Sequence, residues 1–229
     1  VSHELRTPLT VMQGYLELFD ELELPDLPMW TKAHRMMSEQ THRMNGLVDQ
    51  LLTLTKLENK PMVIGKKLID VSSLLSKIRS EAIALSDGKH EITLTTEPGL
   101  WLKSNEEQLR SAFSNLVFNA VRYTPEGGKI KINWSQLPNG EAQFTCTDNG
   151  DGIAQEHISR LTERFYRVDQ ARTRDSGGSG LGLSIVKHVL TNHDSELKIS
   201  SQLQVGSCFS FIINKLYVEL HDSEQASSI

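Results

Sequence analysis

His3 and Glu4 stand side by side near the start of the chain, in VSHELRTPLT, with Thr7 one helical turn after His3 and Pro8 behind it. An imidazole is a nucleophile, a neighbouring carboxylate can take its proton, and a hydroxyl one turn away can orient a water. At about 100° per residue, His3 lies roughly 160 to 240° round a helix from every residue of the apolar seam Leu5, Leu9, Met12, Leu16 and Phe19, so it points to solvent. Pro8 leaves the Glu4 carbonyl without its usual N–H partner and predicts a bend there. One exposed histidine taken alone is more often decoration. Chemistry at His3 requires a second site that supplies an electrophile.

Three later stretches have the composition of one nucleotide pocket. NLVFNAVRYTPEGG, residues 115–128, sets Asn115 and Asn119 one turn apart, followed by Arg122 and Tyr123. Two amide oxygens on one helix face can approach a hydrated Mg²⁺, a guanidinium can meet phosphate, and a phenol ring offers a flat face. DNGDGI, residues 148–153, places an aspartate at a strand end, where it can accept from an adenine amino group, with Gly150 and Gly152 letting the chain turn close to a base. A calcium loop is excluded, because glycines occupy its third and fifth positions and Ser159 stands where its terminal glutamate belongs. GGSGLGLSIVK, residues 177–187, is a glycine run entering a helix whose free N–H groups can face phosphate. It is neither a dinucleotide fingerprint, since polar DQARTRDS precedes it, nor a Walker loop, and the protein-kinase HRD and DFG triplets are absent.

These residues need elements to hold them. The seam from Leu5 to Phe19 steps by 4, 3, 4 and 3 and predicts an amphipathic helix meeting another helix. Pro25 and Pro28 interrupt it, and Met37, Met44, Leu51 with Leu47 and Leu54 predict a second helix ending near Asn59-Lys60-Pro61, with Gln40 as its polar exception. A lone helical hairpin leaves half of each seam wet, and a homodimeric four-helix bundle is its remedy. From about Val63 helices are expected at 71–85, 106–123 and 181–191, and strands at 91–96, 129–135, 142–147, 196–201 and 208–213. Helices and strands mixed without a regular alternation indicate an α+β sandwich.

Composition narrows the partners. The 229 residues allow two small domains, and the net charge of −5 argues against a nucleic-acid partner. Two cysteines, Cys146 and Cys208, far apart and in no CxxC pattern, indicate neither a disulfide framework nor a thiolate zinc site and fit a reducing cytosol. No run of 18 apolar residues and no signal peptide is found, so a soluble chain without direct membrane contact is expected. The triplet Asn133-Trp134-Ser135 matches a glycosylation acceptor by chance.

The order HELRTPL, NLVFNA, DNGDGI, ERFYRVD, GSGLGL resembles the transmitter region of bacterial two-component sensor histidine kinases, over nearly the whole chain. The run LTERFYRVDQARTRDSGGSGLGLSIVKH is most similar to the members that serve phosphate-starvation signalling. The resemblance implies a dimerisation and phosphoacceptor hairpin over residues 1–62, an ATP-binding α/β sandwich of the GHKL type over 63–216, and a flexible tail over 217–229. It implies that His3 attacks the γ-phosphate of ATP, that Glu4 is its acid/base partner, and that Thr7 positions the water that dephosphorylates a partner aspartate. It assigns Asn119 to Mg²⁺ with Asn115 supporting it, Arg122 to phosphate, Tyr123 to the face of the nucleotide, and Asp148 to adenine. Ile153 and Leu181 line the same pocket, Gly150, Gly152, Gly178, Gly180 and Gly182 shape it and its lid, and Arg167 meets the γ-phosphate. The implied partners are a second copy of the chain and the receiver domain of a cognate response regulator, and the implied place is the cytoplasmic side of an inner-membrane protein.

Three expectations follow from that resemblance. Residues 59–68 act as a hinge, residues 154–180 form a nucleotide-ordered lid, and His3, in the first turn after Val1, frays, which weakens dimerisation and slows autophosphorylation relative to a longer chain. Two departures from the usual pattern are Thr162, where phenylalanine is common, and Asp151, a negative charge in the glycine turn. An ATPase of the gyrase and Hsp90 kind is disfavoured, because Asn115 stands where a water-activating carboxylate belongs. A GHKL-type nucleotide-binding dimerisation module without kinase activity is the remaining alternative.

Overall fold

A computed structural model of the chain describes residues 2–21, 27–59, 67–168 and 178–221. The two amphipathic seams form helices α1 (Ser2–Glu21) and α2 (Leu27–Asn59), packed on each other. Pro8 lies inside α1 and is buried, and Pro28 sits in the first turn of α2, where its missing N–H costs nothing. Leu47 and Leu54 are buried, whereas Leu9, Leu16, Val48 and Leu52 remain 42–55% exposed along the hairpin. That wet apolar stripe is the unfilled half of the seam. No described helix is long and apolar enough to cross a membrane.

The rest of the chain builds a sandwich. Strands β1 (Lys67–Asp70), β2 (Glu91–Thr96), β3 (Leu100–Ser104), β4 (Lys129–Gln136), β5 (Ala142–Asp148), β6 (Lys198–Gln202), β7 (Gly206–Ile213) and β8 (Val218–Leu220) form two sheets, ordered β2-β4-β5-β7-β6 and β1-β3-β8. Helices α3 (Val71–Ser86), α4 (Glu106–Tyr123) and α6 (Gly182–Thr191) supply the other layer, and α5 (Gln155–Ile158) is a single turn. In β5 every second residue is buried, because one face of the larger sheet packs on the helices and the other meets water.

Caps place the helices. The Asp70 carboxylate accepts from the Ser73 N–H and hydroxyl at 3.1 and 2.6 Å to start α3, and the Asn105 side chain accepts from the Gln108 N–H at 3.1 Å to start α4. Thr124 and Pro125 end α4, so Tyr123 closes the helix beside the glycine turn. Phe113 of α4 is the centre of the core: its ring lies 4.9 Å from Phe144, 5.8 Å from Phe211 and 6.2 Å from Trp134. The Trp134 indole N–H donates to the Leu100 carbonyl at 3.1 Å and joins the two sheets.

Three strands lie outside the expected pattern. β1 and β3 are short and β8 follows the supposed domain end at 216. Val218–Leu220 pairs with β3, and the Tyr217 hydroxyl donates to Asp194 at 2.8 Å, so the expected tail over 217–229 begins inside the fold. Its physical reason is pairing: the β3 edge offers backbone partners that a polar-looking terminus satisfies. Residues 222–229 lie outside the described residues, as do 60–66 of the expected hinge.

Removing the Phe113 ring leaves a cavity that the three surrounding aromatic rings cannot close. Phe113→Ala is expected to cost about 3–5 kcal/mol, read as a lowered denaturant midpoint by circular dichroism.

Candidate functional site

Asp148 ends β5, and the residue is only 7% exposed. Its Oδ1 accepts from the Gly150 N–H at 2.9 Å and the Ser207 N–H at 3.3 Å. No hydrogen bond to Oδ2 is found among the described residues, so one oxygen remains to accept from a ligand. Burial pushes the carboxyl pKa above its ordinary value, against the lowering by those two N–H groups.

Glycines make room around it. Gly206, at φ +131°, lies so close that a Cβ there would stand 2.0 Å from the Asp148 carbonyl oxygen. A Cβ at Gly150 would stand 2.4 Å from the Tyr123 carbonyl, which brings the end of α4 onto the turn. A Cβ at Gly152 would strike the Gln202 carbonyl at 2.0 Å, so that turn lies on the end of β6. The Ile153 N–H donates to the Ser201 hydroxyl at 2.8 Å, and Ser201 and Ser207 are joined at 2.9 Å. Gly206, Ser207 and Ser201 were not among the sequence candidates. Their signal was a glycine opening a strand in VGSCFS, which by itself reads as an ordinary hairpin turn.

The second wall comes from α4 and α6. Tyr123 and Arg122 are exposed at the end of α4, and a Cβ on buried Gly178 would lie 3.4 Å from the Tyr123 hydroxyl oxygen and 3.5 Å from an Arg122 guanidinium nitrogen. Asn115 donates through Nδ2 to the Ser111 carbonyl at 2.8 Å, and its Oδ1 would lie 2.5 Å from a Cβ on Gly182, so the first turn of α6 rests on it. Asn119 follows one turn later, half-buried, with no hydrogen bond to its amide among the described residues. Its free oxygen fits a hard cation. Leu181 is fully buried beneath the glycine run.

Residues 154–168, the first part of the expected lid, are tied together by side-chain contacts. Leu161 is 9% exposed, His157 Nδ1 and the Tyr166 hydroxyl lie 2.6 Å apart, and the Arg160 guanidinium sits 4.2 Å from the Tyr166 ring centre. Thr162 and Arg167 are half-buried there. Residues 169–177 of the expected lid lie outside the described residues. Asp151 is exposed, and its carbonyl accepts from the Gln204 N–H at 2.8 Å, so its backbone holds the turn against the β6–β7 hairpin.

The first site is less fully drawn. The backbone of His3 and Glu4 runs in α1, and their side chains lie outside the described residues; Thr7 is exposed on the same helix. Leu5 joins the apolar cluster that contains Leu47, Leu54 and Leu57 of α2 and Leu181, Ile185 and Val189 at α6. Helix α1 therefore shares one apolar core with α2 and with the start of α6.

Residues 1–60 match the His Kinase A (phospho-acceptor) domain, and residues 104–216 match the Histidine kinase-, DNA gyrase B-, and HSP90-like ATPase domain. The chain is 50% identical over 212 residues to the Phosphate regulon sensor protein PhoR of Pseudomonas aeruginosa, a match covering 92% of this chain and 47% of that protein. It is 43% identical over 218 residues to the protein of the same name in Haemophilus influenzae, covering 95% of this chain and 51% of that one. The chain thus spans about half the length of the curated relatives it matches. The solved structure of the histidine kinase ThkA, in complex with the response regulator protein TrrA, superposes with a TM-score of 0.73 at 22% identity over 94% of this chain and 60% of that one, a likeness of fold.

The raised pKa of Asp148 has a sign for stability. The folded chain binds that proton more tightly than the unfolded chain does, so the buried charge opposes folding near neutrality, and the penalty is relieved as pH falls through the raised value. Asp148→Asn keeps an oxygen for Gly150 and Ser207 and removes the charge. Its thermal midpoint at pH 7 is expected to equal or exceed that of the parent chain, by about 2–4 °C for each ~1 kcal/mol relieved, with the gain shrinking as the pH is lowered. A midpoint that falls at pH 7 contradicts this, by differential scanning calorimetry.

Proposed function

Because the chain belongs to the histidine kinases, with a phospho-acceptor domain ahead of an ATPase domain of the histidine kinase, gyrase B and HSP90 type, we propose that it is an ATP-dependent histidine autokinase. His3 is the phosphoacceptor: an imidazole nitrogen bonds to the γ-phosphorus, the bond from that phosphorus to the bridging oxygen breaks, and ADP leaves. Glu4 takes the imidazole proton. The phosphoryl group then passes to an aspartate of a response regulator, and Thr7 orients the water that hydrolyses that aspartyl phosphate in a separate phosphatase reaction, releasing inorganic phosphate.

The observation that carries this reading is the buried Asp148 carboxylate, at a turn that Gly150 and Gly152 let pack against the Tyr123 and Gln202 carbonyls, with Oδ1 held by two backbone N–H groups and no hydrogen bond to Oδ2 among the described residues; in this reading Oδ2 accepts from an adenine amino group. Tyr123 and Ile153 flank the base; Leu181, expected to line the pocket, instead backs the glycine run from the α2 side, and Gly178, Gly180 and Gly182 bring the α6 N-terminus toward the phosphates. Arg122 and Arg167 contact phosphate, Arg167 at the γ position. Asn119, supported by Asn115, would hold Mg²⁺, which would supply neutralisation of phosphate charge. Phosphoryl transfer asks mainly for in-line placement and charge neutralisation, so donor and acceptor can sit on separate domains.

The partner assignments rest on different observations. The exposed stripe of Leu9, Leu16, Val48 and Leu52 fits a second copy of the hairpin. A response regulator as phosphate acceptor is supported by the complex formed by the fold relative, and phosphate-starvation signalling by the names of the two relatives. An inner-membrane parent with this chain on its cytoplasmic side accords with those relatives. A net charge of −5 argues against a nucleic-acid partner. The domain limits are 1–62 for the hairpin and, with β8 included, about 63–221 for the nucleotide domain.

Incubation with Mg-ATP labelled at the γ-phosphate tests the reading. Acid-labile, base-stable label is expected on the chain and is absent from His3→Gln and Asn119→Asp; nucleotide binding without label on His3 leaves a nucleotide-binding dimerisation module instead. A second measurement uses pH. Since burial raises the Asp148 pKa, and its protonated form no longer offers both oxygens as acceptors, nucleotide affinity should fall on acidification at a higher pH than an ordinary carboxylate gives.

A further inference from the structure

Arg164, Phe165, Ser179 and Gly180 form a neck at the edge of the candidate nucleotide site. The Phe165 N–H donates to the Gly180 carbonyl at 2.9 Å. Gly180, at φ +72°, lies so near that a Cβ there would stand 2.8 Å from Phe165 Cα, a place for glycine alone. Beyond the neck, Leu181 opens α6 on one side and Tyr166 leads to Arg167 on the other.

Helix α2 holds this neck from both sides. The Glu58 carboxylate pairs with the Arg164 guanidinium and lies 3.4 Å from His188 Nε2. The Ser179 hydroxyl donates to the Gln50 side-chain oxygen, and the same hydroxyl oxygen accepts from the Leu181 N–H at 3.1 Å. Gln50 and Glu58 are eight residues apart, about 12 Å along the helix. Between them Leu54 and Leu57 pack in the cluster that holds Leu181 and Phe165. Apolar contact is non-directional and tolerates sliding, whereas two polar ties at separate heights set a register. The Glu58 and Arg164 side chains are 32% and 48% exposed, so their pairing adds little to stability and its effect is placement.

We propose that Gln50 and Glu58 are positioning residues through which α2 of the phosphoacceptor hairpin sets the neck of the nucleotide site, an inference that rests on the nucleotide reading of the Asp148 pocket. Gly178, which approaches Arg122 and Tyr123, is one residue from Ser179, so displacing α2 against α6 displaces a wall of that pocket. Ties made before nucleotide arrives also leave less ordering to be done on binding, which favours affinity.

The test uses the whole chain and three variants: Glu58→Gln, Gln50→Ala, and the charge exchange Glu58→Arg with Arg164→Glu. It is run at pH 8, where His188, whose pKa is lowered by burial and then by Arg164 and Lys187, is neutral and does not oppose an arginine at position 58. Amide hydrogen exchange in residues 164–168 and 178–182 is expected to quicken roughly two- to fivefold in each single variant, with β5 unchanged. Affinity for a fluorescent ATP analogue with Mg²⁺ should fall roughly three- to tenfold, and the charge exchange should restore both readouts. Unchanged neck exchange in Glu58→Gln, quickened exchange without loss of affinity, or failure of the charge exchange to restore either readout overturns the proposal. If the unsubstituted chain binds no analogue, the nucleotide reading is what falls, and the exchange measurement still decides whether Glu58 sets the neck.

Discussion

A carboxylate that must be buried and yet keep one oxygen open is the demand around which the nucleotide domain is arranged. Burial makes the charge of Asp148 costly, and two backbone N–H groups converge on Oδ1 to offset that cost without occupying Oδ2. One donor comes from the turn that follows β5 and the other from the start of β7, so the demand is met only where those strands pair in register, Asp148 opposite Ser207. Close approach then excludes side chains: a Cβ at Gly206 would meet the Asp148 carbonyl oxygen, and one at Gly150 would meet the end of α4. The core beneath is aromatic and buried. Phe113, Phe144 and Phe211 pack together across α4, β5 and β7, the same elements that bear the candidate site.

Helix α2 serves two neighbours with one sequence. Its buried leucines pack in a cluster with Leu5 of α1 and with Leu181, Ile185 and Val189 at α6, while Val48 and Leu52 stay exposed for a further partner. An apolar helix face can exchange one neighbour for another at modest cost, because hydrophobic contact carries no direction. The polar residues interspersed on it, Gln50 and Glu58, supply the direction. Helix α2 thus joins two surfaces, α1 on one side and α6 of the nucleotide domain on the other.

Much of this was legible residue by residue. The boundaries of α4 follow from Asn105 as cap, the Leu109-Phe113-Leu116 spacing, and the stop at Thr124-Pro125, all local effects. The alternation of β4 and β5 and the 3- and 4-residue steps of α1 are equally local. The strands that escaped notice, β1, β3 and β8, are each five residues or fewer, and none carries enough alternation to stand out. Their pairing is long-range: Lys67 meets Ser104, and Leu220 meets Leu100. A polar terminus reads as loose until the edge that receives it is known.

The candidate site divides along the same line. The sequence by itself determined which groups are present and the family to which their order points: an imidazole beside a carboxylate in one helical turn, two asparagines a turn apart, an aspartate before a glycine turn, a glycine run before a helix. Each is a short-range pattern, and short-range geometry is set by backbone periodicity. The tertiary structure alone decided that Ser207 completes the cradle of Asp148, that Gly178 faces Arg122 and Tyr123, and that Glu58 reaches Arg164. Those contacts join residues far apart in the chain, and no local periodicity encodes them. They exist because strand pairing and a shared apolar core bring the segments together.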